Sequence, residues 1–151
     1  MVALLLVCGV AAAADQGRVN VYVDCRCPDQ VGQAFCNGFK QQVHDSAGYI
    51  LANNTNGYGM GVHLACVDLW QGIENQLAGT MTAISLTFTI YSDKLPGEVY
   101  EDSSVFRVGK DATGEISRKV MAALGQLVGM NASLFERMRE NAQKPTPPAK
   151  N

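Results

Sequence analysis

The chain has 151 residues, of which 47% are hydrophobic and 17% charged, with a net charge of −2. That length fits one domain and allows a sizeable buried core. The charge provides no basic field, so neither nucleic acid nor an anionic membrane surface is an expected partner.

Val2 to Val10 is apolar apart from Cys8 and Gly9, and Ala11–Ala14 follow before the first charge at Asp15. A short apolar run ending in small residues is the pattern of a secretory signal with an Ala-x-Ala site, and we place cleavage after Ala14. The run is too short to span a bilayer, so the mature chain is expected to carry no transmembrane segment. It also lacks the basic residues that ordinarily precede such a core.

The organising stretch is Val19–Leu51. Val19, Val21, Val23 and Cys25 alternate with Asn20, Tyr22 and Asp24, the period of a half-buried strand. Arg26-Cys27-Pro28-Asp29 breaks it, because Pro cannot donate to a ladder and Asp29 can cap a helix. Val31, Ala34, Phe35, Phe39 and Val43 then recur at helical spacing as one apolar stripe. The helix is expected to end near Ala47-Gly48, with Gly48 as a left-handed cap.

Tyr49–Ala52 reads as a short extended piece, and Asn53–Gly61, rich in Asn and Gly, as a loop or hairpin turn. A second strand is predicted over Val62–Trp70. Gln71–Met81 connects it, with one helical turn around Ile73–Leu77. Thr82–Tyr91 alternates most clearly: Ile84, Leu86, Phe88 and Ile90 face inward, and small hydroxyl residues face outward. A turn at Pro96-Gly97 precedes a fourth strand, Val99–Val108. A second long helix starts at Asp111 or Thr113, carries Ile116, Val120, Ala123, Leu124 and Leu127, and stops at Gly129. A short third helix is expected over Ser133–Asn141, and residues 144–151 read as a disordered Pro-rich tail.

The expected fold class is therefore α+β in β-α-β-β-β-α order with a short C-terminal helix. Two helices pack on one face of a mostly antiparallel four-stranded sheet, and residues 15–143 form one domain. The order of elements is similar to that of small helix-on-sheet modules in bacterial cell-envelope proteins, such as the N-terminal domain of the Tol-Pal translocation protein. That likeness is one of element order, without a shared motif.

Removal of Cys8 with the signal leaves Cys25, Cys27, Cys36 and Cys66, an even set that suggests disulfides in an exported domain. A Cys25–Cys27 bridge would close too tight a loop. Two pairings remain open: Cys25–Cys66 with Cys27–Cys36, or Cys27–Cys66 with Cys25–Cys36. The spacing of Cys25 and Cys27 departs from the Cys-x-x-Cys redox pattern, and with His44 and His63 they match no zinc-ligand spacing.

No phosphate loop, HExxH helix, Ser-His-Asp signature or nucleophile elbow is present, and no cofactor or metal is expected. Asp24 and Asp68, near strand ends, are candidates for paired acid–base carboxylates. Tyr22, Tyr58, Trp70 and Tyr91 are candidates for an aromatic platform that binds a sugar or peptide. Asn53-Asn54-Thr55 and Asn131-Ala132-Ser133 are glycosylation sequons, relevant in a eukaryotic secretory pathway. The favoured function is a periplasmic or secreted binding or scaffolding module, stabilised by disulfides, for a protein or glycan of the cell envelope. The alternative is a small secreted hydrolase or thiol-redox enzyme using Cys25 and Cys27 with Asp24 and a histidine.

Overall fold

The computed structural model describes residues 17–143. The expected signal over residues 1–14 and the tail over residues 144–151 lie outside that range. Five strands, β1 (Val19–Arg26), β2 (Tyr49–Ala52), β3 (Tyr58–Asp68), β4 (Met81–Ser92) and β5 (Val99–Gly109), combine with α1 (Gln30–Asp45), α2 (Thr113–Met130) and α3 (Ala132–Gln143). The α+β class holds, but the sheet has five strands and is mixed, in the order β2-β1-β3-β4-β5.

Both departures from the expected sheet have one cause. Helix α1 carries the chain back along the sheet after β1, so the next strand runs parallel to β1. Tyr49–Ala52 pairs with Val19–Tyr22 in this way, and β3 lies parallel to β1 on its other side. Only β3, β4 and β5, joined by direct reversals, are antiparallel.

The glycine-rich run also enters the sheet. β3 begins at Tyr58 because Gly59 and Gly61 lie opposite Tyr91 and Thr89 and leave room for those side chains. At the other end the strand stops at Asp68, and Trp70 belongs to the turn.

Val21, Val23, Met60, Val62, Leu64, Ile84, Leu86, Phe88 and Ile90 face the helices and are buried. Phe35, Phe39 and Val43 of α1, Val120 and Leu124 of α2, and Phe135 of α3 complete the same core. Ala34, predicted on the α1 stripe, is exposed. All three helices thus cover one face, and at about 25 cal/mol per Å² of apolar surface this burial is the main stabilising term.

Asp29 caps α1 as expected: Oδ1 accepts from the Gly32 amide at 2.7 Å and Oδ2 from the buried Thr82 hydroxyl at 3.0 Å. The C-terminal cap differs. Ser46, with extended backbone, ends α1, and its hydroxyl accepts from the Gly48 amide at 3.2 Å. Gly129 lies inside α2, which continues to Met130 with Asn131 as its cap.

Two disulfides join Cys25 to Cys36 and Cys27 to Cys66, with Cα separations of 6.3 and 4.5 Å. The parallel register decides between the two open pairings. Cys25 lies opposite Leu64 and Arg26 opposite Ala65, so the next residue, Cys27, arrives beside Cys66. Cys25 is left to the flank of α1.

Candidate functional site, the uncovered face of the sheet

The face opposite the helices is built by strand alternation. Its residues form cross-strand rows: Tyr22, Gly61, Thr89 and Tyr100; then Asp24, His63, Thr87 and Ser103; then Arg26, Ala65, Ser85 and Val105. A shallow depression of about 320 Å³ lies over the second and third rows, between Asp24, Arg26, His63, Ser85 and Thr87.

His63 is the centre of this face. Its Nε2 lies 2.6 Å from Glu98 Oε2 and 3.2 Å from Thr89 Oγ1, while Nδ1 lies 3.8 Å from Asp24 Oδ2. The Thr89 hydroxyl donates to Glu98 Oε2 at 2.5 Å. Arg26 Nε donates to Asp24 Oδ2 at 3.2 Å, and the Tyr22 ring meets His63 edge-on at 6.4 Å. His63 thus bonds to the β4–β5 turn through Nε2 and lies within ion-pair distance of Asp24 on β1 through Nδ1.

The cluster closes over Gly61. A Cβ there would overlap Thr89 Oγ1 and fall 2.9 Å from His63 Nε2 and 3.0 Å from Glu98 Oε2. One row along, the Tyr91 ring covers Gly59, and its buried hydroxyl has no hydrogen-bond partner among the described residues. Burial, with Glu98 and Asp93 nearby, pushes the Tyr91 phenol from 10.0 up to about 12.

The four aromatic candidates do not converge. Tyr22 is half-buried on the open face, and Tyr91 is 2% exposed on that same face. Tyr58 packs on the helix side, near Leu95 and Met138. Trp70 lies in the turn beyond the far end of β3.

The two carboxylate candidates are also separated. Asp68 is five residues along β3 from the partner of Asp24, roughly 17 Å at strand rise. It closes the turn by accepting from the Trp70 amide at 3.0 Å and the Gly79 amide at 2.8 Å. His44 is exposed in the last turn of α1, away from this cluster.

Glu98 went unrecognised in the sequence. Its signal is the Pro96-Gly97 turn, which returns the chain over the last row of β4. Thr89, His63 and Asp24 are in the order of a hydroxyl–base–carboxylate relay, but the hydroxyl is committed to Glu98 and Thr89 is 8% exposed. Bridged as they are, Cys25 and Cys27 present no free thiol. Among the described residues, no group of three or more His, Cys, Asp or Glu side chains is placed to hold a metal ion. Among those residues also, no helix is long and apolar enough to cross a membrane.

No protein-family model matches this chain, and no curated protein is similar to it.

Proposed function

We propose that this protein is an exported binding module, periplasmic or secreted, that holds a partner protein of the cell envelope or exterior on the uncovered face of its sheet. The observation that carries this reading is the face itself. It is broad and shallow, Asp24, Arg26, His63, Thr89 and Glu98 are bonded to one another across it, and the opposite side is covered by the three helices. Exposed Val67 and Val105 lie among Arg26, Asp24 and Arg107, the apolar-with-charged mixture of protein interfaces. That mixture favours a protein partner over a glycan, because the candidate rings form no common platform. Export is supported by the two disulfides, which persist in oxidising compartments, and by the signal-like residues 1–14.

Two measurements test the reading. The full chain, expressed in a host with an oxidising periplasm, is expected to be recovered there without residues 1–14. Alkylation is expected to reach four cysteines, and only after reduction. Recovery of the whole chain in the cytosol with free thiols would sink the export half. For the binding half, a photo-crosslinking residue at Ser85 is expected to trap a partner polypeptide that the same residue at exposed Arg118 does not. Equal trapping at both positions would remove the face from consideration.

A further inference from the structure

Strand β1 is eight residues long, but β2 covers only its first half. Val19–Tyr22 lie against Tyr49–Ala52. Val23–Arg26 have β3 on one side and, among the described residues, no strand on the other. In a parallel ladder successive residues direct their N–H and C=O groups to alternate sides, so this half of β1 offers a short row of unpaired donors and acceptors. A slot of about 370 Å³ flanks that row. Val23 and Cys25 form one wall, Ala52 and Asn53 the end in line with β2, and Lys40 of α1 the other wall. A second recess of about 270 Å³, with Gln33 and Asn37, extends it along the helix.

The edge is rigid. Cys25 is bridged to α1, and Cys27, one residue beyond the row, is bridged to β3. Lys40 is half-buried and, among the described residues, forms no ion pair. The outer edge of the sheet on the far side is a poorer template. There β5 carries a register shift and the acidic pair Glu101-Asp102, both of which discourage pairing.

We infer that the unpaired half of β1 is a strand-addition site. It takes an extended segment of the partner protein that enters in line with β2 and carries an acidic side chain toward Lys40. The inference rests on the binding-module reading above and names the element and the ligand class. Main-chain hydrogen bonds to Val23–Arg26 supply the general affinity, over roughly 13 Å for four residues, and Lys40 supplies the charge preference. The bridged edge is already in its bound shape, so little ordering entropy is lost on binding.

The test uses the full, oxidised chain and a phage-displayed library of random linear peptides. Enriched peptides are expected to contain Asp or Glu and to slow amide exchange within Val23–Arg26. They are expected to bind Lys40→Glu about tenfold more weakly while that variant melts like the parent. Unchanged affinity for Lys40→Glu, or pairing of two copies through this edge, overturns the acidic-strand assignment. Protection at the amides of Ser85, Thr87 and Val105 instead overturns the strand site and leaves the face-binding reading intact. Enrichment of no peptide, together with no crosslink at Ser85, overturns both.

Discussion

Gly61 and Tyr91 govern the uncovered face at the level of single residues. Gly61 is required by its neighbours across the ladder, since any Cβ would displace Thr89 Oγ1 and crowd His63 and Glu98. Gly61→Ala is expected to cost roughly 1–3 kcal/mol of stability and to break the His63–Glu98 contact. Denaturant titration and the imidazole NMR signals of His63 check this. Gly38→Ala, in the exposed face of α1 with nothing near the added carbon, is expected to stabilise by about 0.5–1 kcal/mol.

Tyr91 supplies a pH dependence. Its folded-state phenol lies at about 12, above the ordinary 10.0, so between those values the native state holds a proton that the unfolded chain has lost. Stability is then fully present below pH 10 and falls by roughly 2–3 kcal/mol as pH rises to about 12. In Tyr91→Phe that alkaline loss is expected to shrink markedly, as read by urea midpoints across this range. Strand alternation places Tyr91 on the outward face of β4 with Thr87 and Thr89. Its burial was not legible, because that depends on Gly59 standing across the ladder.

At the scale of elements, the disulfides divide the work between them. The Cys25–Cys36 bridge closes 11 residues and fastens α1 to β1, while Cys27–Cys66 spans 39 and fastens the end of β1 to β3. In the chain-entropy account each contributes about 2–4 kcal/mol, and the longer loop about 1 kcal/mol more than the shorter. Paired Ser substitutions at Cys27 and Cys66 are therefore expected to lower the denaturation midpoint more than those at Cys25 and Cys36. The reverse order would show that strain or residual structure outweighs loop length. The sequence narrowed the pairing to two alternatives and could go no further, because choosing between them requires the register of β1 on β3. The same gap explains the miscounted strands. Four residues at Tyr49–Ala52 carry too little alternation to stand out, and their status comes from the edge of β1 that they cover.

At the scale of the whole molecule, every helix and the inner face of the sheet share one buried cluster. Unfolding is expected to be a single transition, with far-UV circular dichroism and the near-UV tyrosine signal giving coincident midpoints. Separate midpoints would divide residues 17–143 into independent units. Local pattern alone specifies the elements with strong period and punctuation: β1, α1, β4, β5, α2, and the Asp29 cap. It does so because alternation, helical spacing and capping chemistry are local. It also settles which face of β1 and of β4 is apolar, and narrows the pairing of Cys25, Cys27, Cys36 and Cys66 to two alternatives. The assembled fold is needed to see that β1 runs parallel to both of its neighbours, that Cys27 reaches Cys66, and that Glu98 closes on His63. Only there does half of β1 emerge without a neighbour. Each of these depends on which strand lies beside which and in what register, and a single chain read in order contains no physical term for contacts made by residues tens of positions apart.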